Sequence, residues 1–189
     1  MPQDTPTDRP ARAWHSPLCW ALFVVPALVG MGLDLYLKHD AFPDGVGRQP
    51  NMMTTLVPGV LGFQTTINRG AVFGMAQGQV PVLIAISFVA LIVISYLFVS
   101  SARHHRWLHV GLGLVLAGAL GNLYDRICYG HVRDMLRFMV DWYPYIFNVA
   151  DVLLCVGGPL VLLSWIGSGK EPSVTKAVSA NEPIVPPGV

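Results

Sequence analysis

Two aspartates, Asp134 and Asp151, lie 17 positions apart around the start of a long apolar run, and Asp151 sits inside it, in Phe147-Asn148-Val149-Ala150-Asp151. An ionisable side chain within a membrane segment costs about 2.5–3.5 kcal/mol on insertion scales and marks function by default. Two carboxyl groups held together at low dielectric do not both ionise, so they share one proton. Such a pair can activate water: the ionised member takes a proton from it, and the protonated member donates to the group under attack. No covalent intermediate is then required. None is suggested either, because the sequence has no Gly-x-Ser-x-Gly elbow, and Ser168 in Gly167-Ser168-Gly169 stands at a helix end before a polar tail. The bland alternatives are a solvated loop acid at Asp134 and a buried acid paired with an arginine at Asp151.

Further polar clusters accompany the pair. Asn148 is three positions before Asp151, on the same face of a predicted helix, where its amide can fix a carboxylate rotamer. Upstream, Gly113, Ala117 and Gly121 recur every fourth residue, a spacing that lets helix backbones approach in lipid. Asn122, Asp125 and Arg126 follow. Asp125 and Arg126 read first as a structural cluster at a helix end, and Arg126 also suits a substrate carbonyl or a lipid headgroup. In Asn68-Arg69-Gly70-Ala71-Val72-Phe73-Gly74 the glycines allow either an ordinary turn or close approach to a ligand. Asn68 offers both donor and acceptor to an extended peptide. Asp34 and Lys38, four apart, predict an ion pair at the membrane interface that can also orient a headgroup. The cysteines Cys19, Cys128 and Cys155 show no ligand spacing, and the six histidines form no His-Glu-x-x-His motif, so neither metal nor cofactor is expected.

The elements that hold these residues follow from composition. Of 189 residues, 53% are hydrophobic and 12% charged, against about 25% charged in soluble domains, so the chain is an integral membrane protein. Spans of about 20 apolar residues are predicted near 17–37, 80–101, 107–125 and 145–167. The five tryptophans fall at or near span ends, as an interfacial belt does. The first span is preceded by Arg9 and Arg12 but followed by no small-residue cleavage site, and it reads as an uncleaved helix. Residues 1–16 and 169–189 read as polar tails flanking one membrane domain, 17–168. Four spans put both termini on one side, and the Ser101–Arg106 loop, basic and without acids, places that side in the cytoplasm. Alternation in Leu61–Ile67 predicts a short strand. A net charge of +1 says nothing for nucleic acid, and no such partner is expected.

Taken together, these residues resemble lipoprotein signal peptidase, or signal peptidase II, an aspartyl protease of bacterial inner membranes. The resemblance runs in order through Asp34-x-x-x-Lys38, Asn68-x-Gly70-Ala71-x-Phe73-Gly74, Gly118-Ala119-x-Gly121-Asn122-Leu123-x-Asp125-Arg126, Gly130-x-Val132-x-Asp134 and Phe147-Asn148-x-Ala150-Asp151. It implies an all-α polytopic membrane protein: four transmembrane helices with a small periplasmic β-sheet and an amphipathic segment over the site. It implies catalytic roles for Asp134 and Asp151, and supporting or substrate-contacting roles for Asn68, Gly70, Asn122, Arg126 and Asn148, with Asp125, Asp34 and Lys38 behind them. The implied substrate is a prolipoprotein whose cysteine carries a diacylglyceryl thioether, cut just before that cysteine. A monomer in contact with membrane lipid, inhibited by globomycin, is the implied setting.

One position departs from the family's usual Val-Val-Asp-Phe around the first acid: here it is Val132-Arg133-Asp134-Met135. Arg133 is expected either to favour ionisation of Asp134 or to point to headgroups. It also keeps open a non-catalytic lipoprotein-binding paralogue. A small proton-coupled transporter is a further alternative, although no repeat or interrupted helix pair supports it.

Overall fold

The computed structural model describes residues 12–43, 53–70, 77–140, 142 and 145–168, with side chains to residue 166. Ala71–Gly74 of the second motif and nearly all of the two predicted tails lie outside the described residues. Among the described residues, four helices are long and apolar enough to cross a membrane: α1 (Pro17–Ala41), α2 (Val80–Ser100), α3 (Arg106–Tyr129) and α4 (Val149–Ser168). Ser16 caps α1 by accepting from the Cys19 N–H at 3.5 Å, and Pro17 follows at the first helical position, where a missing N–H costs nothing. Pro26 and Pro159 lie inside α1 and α4, as membrane helices tolerate.

Two helices outrun their predicted spans, and one starts later than predicted. α1 continues through Lys38 to Ala41, which are both buried while His39 and Asp40 between them are exposed. α3 reaches Tyr129 and stops at Gly130, whose φ of 72° is left-handed and whose N–H closes on the Arg126 carbonyl. The predicted 145–167 helix begins only at Val149, since Ile146–Phe147 pair as a strand instead.

The sheet has four antiparallel strands in the order β1 (Thr54–Val57), β2 (Leu61–Asn68), β3 (Val132–Phe138) and β4 (Ile146–Phe147). β1 and β2 come from the α1–α2 connection, β3 and β4 from the α3–α4 connection, so both must emerge at the same end of the bundle. The expected strand at 61–67 is β2, although a register shift between Phe63 and Thr66 breaks its alternation. Val132–Met135 are buried in succession, because β3 faces α3 on one side and the polar site on the other.

α3 is the most buried helix and packs between α1 and α4. Its small residues set those distances: a Cβ on Gly121 would overlap the Asp34 carboxylate. At the end away from the sheet, Phe23, Phe98, Leu108 and Leu112 form an apolar cluster. Ala13 donates to the Ser101 carbonyl there at 2.9 Å, which ties the N-terminal segment to the α2–α3 turn.

Candidate active site

Asp151 enters the site through helix capping. Asn148 precedes α4; its Oδ1 accepts from the Asp151 N–H at 3.0 Å, while an Asp151 carboxylate oxygen accepts from the Asn148 N–H at 3.2 Å. This is a reciprocal capping box built from Asn and Asp. The expectation that the two share a helical face is therefore corrected: Asn148 lies before the helix and meets Asp151 through the cap. The other Asp151 oxygen accepts from Asn122 Nδ2 at 2.8 Å. The arrangement puts a carboxylate at the positive end of the α4 dipole.

Asp134 comes from β3. One oxygen accepts from Asn148 Nδ2 at 2.6 Å and the other from Asn68 Nδ2 at 3.2 Å. A single asparagine thus holds both aspartates, one through its amide and one through the cap. Asp134 is 1% exposed and Asp151 is half-buried, so access to the pair is by way of Asp151. Burial, and secondarily the charge of Asp151, push the Asp134 carboxyl up to about 7 against the opposing pull of the two asparagine amides and Lys38. Near neutral pH the Asp134 carboxyl therefore holds its proton far above the usual carboxylate range.

Behind the pair lies a buried charge cluster. Lys38 Nζ forms ion pairs with Asp34 Oδ2 at 2.7 Å and Asp125 Oδ2 at 3.2 Å and donates to Asn122 Oδ1 at 3.2 Å. Asp34 and Lys38 do form the predicted ion pair, and both are fully buried within the protein. The second Asp34 oxygen accepts from the Ala150 N–H at 2.8 Å, which fixes the first turn of α4 against α1. Asn122 Oδ1 also accepts from Asn148 Nδ2 at 3.1 Å, so its amide joins Lys38 to both aspartates.

Asp125 and Arg126, read from sequence as one cluster, point to different tasks. Asp125 pairs with Lys38 and with Arg133. Arg126 donates to the Gly70 carbonyl at 3.4 Å, and the charges of Asp151 and Asp134 act on it. Gly70 donates its N–H to Asn68 Oδ1 at 2.9 Å, a tight turn that aims the Asn68 amide at Asp134. Arg133 takes neither of its two expected positions. It is 3% exposed, and its guanidinium lies against Asp125, not against Asp134 or outside the fold.

All ten residues singled out from sequence converge on this end of the bundle. The family model described as signal peptidase (SPase) II matches residues 26–166. The chain belongs to that family. It is 38% identical over 151 residues to the lipoprotein signal peptidase of Halalkalibacterium halodurans, covering 77% of this chain and 92% of that protein. It is 31% identical over 157 residues to that of Allorhizobium ampelinum, covering 82% and 92%. Among solved structures, a bacterial membrane enzyme determined in meso at 1.9 Å resolution superposes with a TM-score of 0.65 at 26% identity, covering 75% of this chain and 90% of that one. A second, at 2.3 Å resolution, shares the fold with a TM-score of 0.72.

The chain is thus a bacterial multi-pass membrane protein of the lipoprotein signal peptidase family, aspartic endopeptidases that act on prolipoproteins. The transporter alternative falls with that membership. The paralogue alternative rested on Arg133 disturbing the pair, and Arg133 is engaged elsewhere. Sequence reading missed Lys38 as the hub of the site. Its spacing from Asp34 already satisfied the ion-pair rule and gave no reason to look for a second and third partner.

Proposed function

We propose that Asp134 and Asp151 are the catalytic pair of this peptidase. The observation that carries the reading is the Asn148 side chain, bonded to Asp134 at 2.6 Å and to the Asp151 backbone at 3.0 Å. Asp151, half-buried and reachable, acts as the base on a water held between the two acids. Asp134, whose proton is retained to about pH 7, donates to the scissile carbonyl oxygen and then helps the amine leave. Attack forms a C–O bond to the water oxygen, and collapse of the tetrahedral species breaks the C–N bond. The water's proton passes to Asp151 and from there to the leaving amine, and the proton that Asp134 gave to the carbonyl oxygen returns to Asp134 as the carbonyl re-forms, so the pair ends with one proton. Asn122 and Asn148 hold the carboxyl rotamers, and Asn68, Gly70 and Arg126 line the approach, with Arg126 available to the peptide carbonyl.

The setting is part of the same proposal. The sheet and the pair face the periplasm, the termini and the Ser101–Arg106 turn face the cytoplasm, and the membrane is the inner one. The acyl chains stay in lipid between the helices, so that binding fixes the cysteine against the pair. An amphipathic segment over the site, inhibition by globomycin, a monomeric state and a membrane domain of residues 17–168 belong to this reading. Cleavage of a diacylglyceryl-modified precursor, read as a gel shift, tests it. Asp134→Asn and Asp151→Asn inserted in the membrane are expected to leave the precursor intact, and cleavage near the wild-type rate by either defeats the assignment.

A further inference from the structure

Arg133 is a buried charged side chain of the polar end, adjacent in sequence to Asp134 yet turned away from it. Its Nε and Nη2 donate to one Asp125 oxygen at 3.2 and 2.7 Å, and its backbone N–H donates to the other at 2.9 Å. The guanidinium carbon lies 4.3 Å from the centre of the Tyr129 ring. Gly130 turns the chain between helix and strand so that Asp125 and Arg133 meet across eight residues. With Arg133 the cluster holds two carboxylates, Asp34 and Asp125, and two cations, Lys38 and Arg133. Without it, Lys38 alone faces both acids in a dry interior, where an uncompensated charge is costly.

We propose that Arg133 is a positioning residue for the aspartate pair: by occupying one oxygen of Asp125 it leaves Lys38 free to hold Asn122, and Asn122 in turn orients Asp151. The contacts form an unbroken path, from Arg133 to Asp125 at 2.7 Å, to Lys38 at 3.2 Å, to Asn122 at 3.2 Å and to Asp151 at 2.8 Å. On β3 itself the alternation of side chains sends Arg133 to α3 and Asp134 to the site, which is why two adjacent charges act on different groups. The charged groups acting on Asp134 are Asp151 from α4, and Lys38 and Arg126 from α1 and α3. Arg133 acts on it through the cluster.

This inference rests on the catalytic assignment above. Its test compares Arg133→Val, Arg133→Lys and the Asp125→Asn/Arg133→Val pair in the full chain, reconstituted in phospholipid vesicles with a diacylglyceryl-modified precursor. Arg133→Val is expected to lower kcat about tenfold with KM changed less than about twofold. Losing a positive charge from the cluster makes ionisation of Asp134 harder, so the high-pH limb of activity moves up by about half a pH unit. Arg133→Lys keeps that limb in place and recovers part of kcat. The double variant, with neither charge, returns the limb towards wild type. If Arg133→Val fails to accumulate, the Arg133→Lys profile and the double variant decide. A purely structural residue would lower thermal stability and leave kcat and the pH limb unmoved, and that result overturns the inference. A rise in KM alone does so too, because it marks a substrate contact. Either failure, with Asp134→Asn still inactive, leaves the catalytic assignment standing.

Discussion

The two ends of the helix bundle are held by different physics. Away from the sheet, Phe23 and Phe98 stack with ring centres 4.3 Å apart and planes within 9°, and Trp20 and His109 meet Phe98 edge-on. At the sheet end, Asp34, Lys38, Asn122, Asp125, Arg133, Asp134 and Asn148 are all buried and joined by directional bonds. Lipid is as apolar as the aromatic end, so shape fit and a few hydrogen bonds, Ala13 to Ser101 and Ser101 with His109, secure that end, while an unmade bond at the polar end has no water to replace it. Buried charge clusters are weak stabilisers compared with apolar replacements, yet breaking one is costly. The polar end therefore serves geometry, and stability and activity should separate between the two ends.

Substitutions can break that separation or sharpen it. The largest effect is expected from Asp134→Asn and Asp151→Asn, which remove a proton carrier and should reduce cleavage by roughly 10³-fold or more with insertion unchanged. Next comes Lys38→Met, which leaves the buried Asp34 without a cation and Asp125 with Arg133 alone. A destabilisation of about 3–5 kcal/mol and a collapse of activity are expected together, read by thermal unfolding in detergent and by cleavage. Asn148→Ala removes the α4 cap, worth about 1 kcal/mol, and the bridge between the aspartates. A loss of about 10–10²-fold in kcat with a small shift in melting temperature is its expected signature. The smallest effect on activity belongs to Phe98→Ala. It should lower the melting temperature while kcat stays within about twofold, since it shares no partner with the pair. Should Phe98→Ala abolish activity, the two ends are coupled and the contrast fails.

How much of this the sequence carried depends on how local each signal is. The aspartates and their motif partners were readable because a carboxylate in an apolar run is conspicuous and the glycines around it are closely spaced. The capping box was readable in principle, since Asn148-x-x-Asp151 before an apolar run is a helix-start pattern, and it would have placed that start at 149 and not 145. The fourfold partnership of Asp125 and Lys38 was not readable. It depends on α1, α3 and β3 meeting in space, and Asp34 already explained Lys38 along one helix. Arg133 misled for a similar reason. Adjacency to Asp134 suggested direct contact with it, but strand alternation and the left-handed turn at Gly130 bring Arg133 to Asp125 instead.

The central claim is that one proton, held on Asp134 near neutrality, is shared across the pair. Because burial raises this carboxyl from 3.8 to about 7, the neutral form belongs to the folded state. Its contribution to stability is complete below about 4 and is lost as pH rises through 7. The general acid is lost over the same upper range. The direct measurement is kcat/KM for a diacylglyceryl-modified precursor between pH 5 and 9 in reconstituted vesicles. The account predicts a fall above about pH 7 that follows a single ionisation. Activity that stays level to pH 9 contradicts it.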